Sequence, residues 1–204
     1  MLESFRADPE GAPLNSPSGK IQIFSDVVDG FGYDDCPGHA VWREPTEWLG
    51  AETAKTYPLH MISNQPRTRL HGQLDNGRVS RDSKIHEREP VWIHPVDAEA
   101  RGISDGDVVR VFNTRGAALA GVLVTEEVRP GVIQFATGAW YDPAEPGAEK
   151  SLDKHGNPNV LTRDVGTSRL GQGPSAHSAL VDVARFEDEL PTVTAHKPPQ
   201  IVTR

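Results

Sequence analysis

The sequence predicts a mainly β protein with short helices, and three observations carry that prediction. Short alternating or apolar runs recur along the chain, most of them bounded by turn residues. Glycine and proline number 19 and 17 in 204 residues, while the apolar share is only 36%, which favours a loop-rich β protein over a helical bundle. One stretch alone, Pro95–Arg101, carries both a helix start and a helix stop. Strands this short and numerous do not suit a doubly wound sheet and point to a barrel.

The elements follow in order. Residues 1–18 place Pro9, Pro13 and Pro17 among polar residues and read as a linker or strap from a preceding domain, as if the chain were cut from something longer. Gly19–Ser25 alternates Ile21 and Ile23 with polar neighbours and is expected as a strand. Val27–Trp48 is irregular and should wrap a surface, with Phe31, Tyr33, Trp42 and Trp48 as packing anchors. Leu59–Ile62 is an apolar strand, and Asn76–Glu89 a long loop. Pro90–His94 is a strand. In Pro95–Arg101, proline opens the helix, acids come early, arginine late, and Gly102 stops it. Ile103–Asp107 is a tight turn around Gly106. Asp107–Asn113 and Ala117–Thr125 form strands joined by a hairpin turn at Thr114–Gly116, with a kink expected at Gly121. Val132–Phe135 and Ala179–Phe186 are further strands. Residues 19–186 thus read as one domain with wrapping loops, and 187–204, with acids and then prolines, as a tail.

Charge and composition bound the function. A net charge of −8 argues against nucleic acid or an anionic membrane as partner. No window approaches a membrane span, and the first residues contain no apolar signal core. Cys36 is the only cysteine, which excludes an internal disulfide and a cysteine-based zinc site, and the eight histidines lack metal-ligand spacing. No metal ligand is therefore assigned.

The informative stretch is Leu59–Asp75, LHMISNQPRTRLHGQLD. An apolar strand gives way abruptly to amides, arginines and a histidine around Pro66 and Gly72. Amides present a donor and an acceptor on one planar edge, which suits a purine or pterin. The guanidinium fork suits a phosphate. Gly156–Gln172 repeats this character, and Gly173–Ser178 adds His177 between small residues. The plain alternative is a polar surface loop, in which Arg69 pairs with Asp75 and Gln73 satisfies backbone groups. Asp107 and Asp164 read as turn or strand caps. There is no nucleophile elbow, zinc-helix motif, phosphate loop or dinucleotide fingerprint, so no catalytic residue is assigned. These loops hold a large polar heteroaromatic anion better than they make bonds.

Several stretches, in order, carry a resemblance: SPSGKIQIFS, GFGYDDCPGH, SNQPRTRLHGQLD, EPVWIHPVDAEARGISDGDVVRVFNTRG, GAWYDP and HGNPNVLTRDVGTSRLGQG. Over roughly residues 8–185 the chain resembles the C-terminal molybdopterin dinucleotide-binding domain of the dimethyl sulfoxide reductase family, of the type that reduces biotin sulfoxide or trimethylamine N-oxide. The resemblance implies a double-psi β-barrel within a longer bacterial enzyme. It implies a molybdenum ion on two molybdopterin guanine dinucleotides, with the metal ligand and substrate pocket in preceding domains of the same polypeptide. The implied activity is reduction of S-oxides or N-oxides by oxygen-atom transfer, and the fragment alone is expected to be inactive. By motif, Ser63, Asn64, Gln65, Pro66, Arg69, His71, Gly72 and Gln73 line the cofactor, joined by Asn159 and by Ala176, His177 and Ser178. An external electron-donor protein and a periplasmic or cytoplasmic location belong to the same expectation. The alternative is a free-standing barrel acting as a nucleotide-binding or protein-docking module.

Overall fold

A computed structural model describes residues 2–198 and 201. Met1 of the expected strap, and residues 199, 200 and 202–204 of the expected tail, lie outside the described residues. The chain forms two compact units, one from Met1–Glu44 with Val165–Pro174, the other from Pro45–Asp164 with Ser175–Arg204.

The first unit is largely irregular. Helix α1 spans Leu2–Ala7, within the stretch read as a linker. Helix α2 (Asp26–Asp29) starts at Ser25, whose hydroxyl accepts from the Val28 N–H. Gly19–Ser25 does not form the expected strand. Its alternation is present, but no partner strand lies beside it among the described residues, and Ile23 is 83% exposed. Trp42, expected as a packing anchor, is 84% exposed. Tyr33 instead carries the Arg169 guanidinium over its ring, and the Arg169 N–H donates to Asp35 at 2.9 Å.

The second unit is a closed barrel in the order β1-β5-β2-β4-β3-β6. Its strands are β1 (Leu59–Ile62), β2 (Pro90–Ile93), β3 (Val108–Phe112), β4 (Ala117–Val124), β5 (Val132–Phe135) and β6 (Ala179–Arg185). The pairs β1/β5 and β2/β4 are parallel and the other four antiparallel. Parallel neighbours need crossing connections, and two such crossings make this a double-psi barrel. Closure leaves no free edge. Alternate residues point inward, so Leu59 and Met61, Val91 and Ile93, Val109 and Val111, Ile133 and Phe135, and Val181 and Val183 fill one core. Arg110, facing out on β3, lies over the Phe112 ring at 4.5 Å.

The expected helix is α4, Pro95–Glu99, with Pro95 in its first turn and the His94 ring accepting from the Val96 N–H at 3.2 Å. Its buried Ala98, with Ile103, joins the barrel core. The loop expected over 76–89 contains one short helix, α3 (Arg78–Asp82). Gly121 does not interrupt β4, which runs unbroken through Val124 and pairs with both β2 and β3. The glycine instead admits Ile85, since a Cβ there would stand 2.2 Å from the Ile85 Cβ and 2.9 Å from its carbonyl oxygen. Gly121→Ala should therefore displace the Ile85–Arg88 turn and cost about 1–3 kcal/mol as overpacking. The check is a melting temperature several degrees lower, with chemical-shift changes confined to residues near Ile85 and β2.

Candidate functional site on one barrel rim

The strand directions decide which loops meet. Parallel β1 and β5 end on the same side, with Ile62 opposite Gln134. Antiparallel β6 begins where β1 ends, with Ala179 opposite Met61. β2 begins where β5 ends, with Val91 opposite Phe135. One rim therefore carries the loop after β1, the start of β2, the β3–β4 turn, the segment after β5 and the approach to β6. Helix α4 follows β2 and lies at the opposite end. The candidate residues 63–73 and 176–178 thus share a rim, although more than a hundred positions separate them.

The loop after β1 is tightly made. The Asn64 carbonyl accepts from the Thr137 N–H at 2.9 Å, which continues the β1/β5 pairing past the strands. Gln65 clamps His71, its Oε1 accepting from the His71 N–H at 2.9 Å and its Nε2 lying 2.8 Å from the ring Nδ1. That clamp holds His71 at φ 50°, a left-handed conformation that non-glycine residues seldom adopt. Gly138, at φ 97°, lies against the same turn, where an added Cβ would stand 1.8 Å from the His71 carbonyl oxygen. The Trp140 indole N–H donates to the Gly72 carbonyl at 2.6 Å. Gln65, His71 and Gln73 are exposed, Asn64, Pro66 and Gly72 half-buried, and Ser63 buried.

Three polar atoms of this loop are buried without a hydrogen-bond partner, Asn64 Oδ1, Thr68 Oγ1 and Arg69 Nε. Asn64 and Thr68 line a cavity of about 520 Å³ whose other walls include Gln65, Pro66, Arg67, Trp92 and Gln134. Asn64 Oδ1 and Thr68 Oγ1 are themselves sealed from solvent, so a ligand in this cavity would meet the accessible parts of its walls and not those two atoms. Thr68 was not among the residues singled out from the sequence. A hydroxyl inside a run of amides and arginines carries no distinguishing pattern, and only its place in the cavity wall brings it to notice.

Arg69 lies elsewhere than on a ligand surface. Its side chain is 0% exposed, with Nη1 3.0 Å from Glu89 and 3.2 Å from the Ser80 hydroxyl, Nη2 donating to the Thr137 carbonyl at 2.7 Å, and Nε 3.6 Å from Asp75. Lys84 completes the cluster at 2.8 Å from Asp75 and 2.9 Å from Glu89. Two carboxylates and two cations are thus buried together. Asp75 also accepts from Ser80 (3.2 Å), from the Trp140 N–H (3.0 Å) and from His196 Nε2 (3.0 Å). Burial pushes the Asp75 carboxyl up, but Lys84, His196 and the Trp140 N–H outweigh it and hold the group well below the usual carboxylate range.

His155 lies beside this cluster, fully buried, its Nδ1 donating to the Trp140 carbonyl at 3.0 Å and its Nε2 without a partner. Burial first, and then the Lys84 charge, push its pKa from 6.5 down to about 4, so the ring is neutral. Asp75, His155 and His196 bring ligand-type atoms within 4.8 Å of one another. Lys84 and Arg69 already balance the Asp75 charge, and a metal cation would have to enter against both.

The other candidates flank the rim. Asn159 is exposed in a 3₁₀ turn, Pro158–Leu161, capped by Asn157, whose Oδ1 accepts from the Asn159 N–H. Asn113 ties that turn to β6 by donating to the carbonyls of Leu161 (2.9 Å) and Leu180 (3.0 Å). Arg115 also donates to the Leu161 carbonyl, at 2.8 Å, and pairs with Glu47, which accepts the Leu180 N–H. His177 is exposed, and its carbonyl accepts from the His60 ring at 2.7 Å, while Ala176 and Ser178 are half-buried. The rim offers amides, hydroxyls and backbone groups, and no nucleophile–base pair among the described candidate residues.

Comparison with known proteins gives the family. The profile of the "Molydopterin dinucleotide binding domain" matches residues 59–180. The chain is 50% identical over 197 residues to a dimethyl sulfoxide/trimethylamine N-oxide reductase of Cereibacter sphaeroides, covering 96% of this chain and 24% of that protein. It is 49% identical to a trimethylamine-N-oxide reductase of Haemophilus influenzae, covering 97% and 24%. It is 47% identical to trimethylamine-N-oxide reductase 1 of Escherichia coli K12, covering 94% and 23%. The chain thus spans about a quarter of the length of these relatives. Acetylene hydratase from Pelobacter acetylenicus shares the fold, with a TM-score of 0.69 at 21% identity over 88% of this chain and 25% of that one.

The buried network makes stability depend on pH. His155 titrates near 6.5 when unfolded and about 4 when folded, so between these values the unfolded chain binds the extra proton. Its contribution is complete above pH 6.5 and is lost as pH falls toward 4, on the order of 3 kcal/mol in all. Asp75, held low, adds a second loss below the usual carboxylate range. The melting temperature should be level above pH 7 and fall steadily from pH 6.5 to 4.5. His155→Asn, which keeps a donor for the Trp140 carbonyl, should flatten that slope; a wild-type melting temperature that stays level down to pH 4.5 would refute it.

Proposed function

The chain belongs to the molydopterin dinucleotide binding domain family, and on that premise we propose that it is the cofactor-closing domain of a larger molybdenum oxidoreductase that reduces N-oxides or S-oxides. The proposed cofactor is bis(molybdopterin guanine dinucleotide) molybdenum. When bound, it supplies the two-electron chemistry by which the oxide loses its oxygen. Trimethylamine N-oxide and dimethyl sulfoxide are the proposed substrates, after the names of the relatives, and an external protein is the proposed electron donor.

The part of this chain is to hold and orient. The observation that carries the reading is the cavity of about 520 Å³ beside the loop after β1, walled by Asn64, Gln65, Pro66, Arg67, Trp92 and Gln134. We assign the accessible groups of Asn64, Gln65, Pro66, His71, Gly72 and Gln73 to direct contact with the dinucleotide, and Asn159 and residues 176–178 to its flank. Ser63 and Arg69, both buried, shape the loop from beneath. With Arg69 and Lys84 enclosed by carboxylates, Arg67 is the exposed guanidinium of this loop and the group we assign to phosphate.

The test is a chimera in which this chain replaces the matching quarter of the Cereibacter sphaeroides reductase. Molybdenum and guanine content should equal those of the parent, and trimethylamine N-oxide should be reduced by a viologen donor. Gln73→Ala removes one neutral hydrogen bond from an exposed amide, and should weaken cofactor retention roughly 2- to 10-fold without altering the melt. A folded chimera devoid of molybdenum and guanine overturns the reading.

A further inference from the structure

Beyond β6, Phe186 is half-buried, residues 187–190 are exposed, and the chain then turns into the rim. The Pro191 carbonyl accepts from Arg88 at 2.5 Å. Thr194 gives its N–H and hydroxyl to Asp142, both at 2.5 Å, and its hydroxyl oxygen accepts from Lys154 at 3.0 Å. The Ala195 N–H adds a third donor to Asp142 at 3.1 Å. The next residue, His196, donates to Asp75 Oδ2 at 3.0 Å. An ionised carboxylate accepts only, so the Nε2 carries the proton. The His196 ring also meets Trp140 edge-on, at 5.4 Å between centroids, and His155 at 4.8 Å.

We propose that residues 191–196 are a clasp that fixes the conformation of the Ser63–Gln73 loop, with His196 as its positioning residue. The inference rests on the reading that this loop holds the cofactor. The route is short and made of direct contacts. Trp140 joins the two ends, its N–H on Asp75 Oδ2 beside His196 and its indole N–H on the Gly72 carbonyl. The Lys84 hydrogen bond goes to Oδ1. Without the His196 N–H, the Trp140 N–H is the one hydrogen-bond donor left on Oδ2 among the described residues, and the carboxylate that anchors Trp140 is held less firmly. The turn that Trp140 holds is the strained one, where His71 sits at positive φ. A strained turn keeps its shape only while its surroundings over-determine it. The clasp supplies that determination from the far end of the chain and shapes the loop before any cofactor arrives.

Hydrogen exchange on the full 204-residue chain tests this, with His196→Phe, His196→Gln and a chain ending at Leu190. His196→Phe keeps a ring against Trp140 but removes the donor, and His196→Gln returns an N–H to Asp75. Amides of residues 69–73 should exchange roughly tenfold faster in His196→Phe and in the shortened chain, with strands β1 to β6 unchanged, and His196→Gln should restore slow exchange. Unchanged loop exchange in the shortened chain, or acceleration spread evenly over the barrel strands, overturns the clasp. In the chimera described above, His196→Phe should lower molybdenum and guanine content together. If the unaltered chimera binds no cofactor while the exchange pattern appears as expected, the clasp stands and the cofactor reading falls.

Discussion

The rim depends on one buried carboxylate. Asp75 is fully enclosed, yet it is held by Lys84, Ser80, His196 and the Trp140 N–H, with Arg69 close by. Those partners come from the loop after β1, from α3 and the residues just after it, from the segment after β5, and from beyond β6. An isolated buried charge is costly, and deleting one partner of a buried pair typically destabilises by about 3–5 kcal/mol. The network therefore has few alternative arrangements, and each segment that supplies a partner is fixed relative to the others. Glu89 extends it to the start of β2, where its N–H donates to the His155 carbonyl.

A second carboxylate, Asp153, organises the next segment by a different means. Burial pushes its pKa up, while the N–H groups of Asn157, Asp142, Gly156 and His155 pull the other way. A carboxylate accepting several backbone donors nucleates a tight turn much as a capping residue does. Gly156 fits this turn because its φ is 102° and a Cβ would stand 2.7 Å from the Glu89 Cβ. The turn delivers His155 to the Asp75 cluster on one side and Asn159 to the rim on the other. Structural and candidate ligand groups thus alternate over a few residues.

The barrel was legible in the sequence wherever a period was visible. Each strand from β1 to β6 falls within a stretch read as a strand, and α4 follows its proline start. Period alone misleads where no partner exists, as at Gly19–Ser25, because alternation signals a half-buried strand only if something lies on the buried side. The polar loop after β1 was legible as a place, but the inward turn of Arg69 was not. Its partners Glu89 and Thr137 lie 20 and 68 positions away, and only the crossing connections of the barrel bring them close. His196 is further still from Asp75, 121 positions, in a stretch whose prolines and preceding acids resemble any solvated end.

The same geometry decides which cations the accessible rim retains. A chain with a net charge of −8 that must accept an anionic dinucleotide needs cations near the loop, and two of those it has are enclosed. Arg69 and Lys84 neutralise Asp75 and Glu89, so the interior of the rim is close to charge-balanced. In the proposed reading, the accessible amides of the loop add directional hydrogen bonds along the edge of a flat heterocycle, at little cost in ordering because the loop is already shaped from below. Rigidity beneath and an accessible face above are therefore one arrangement, since Arg69 and Lys84 hold the loop still and leave Arg67 as its exposed cation.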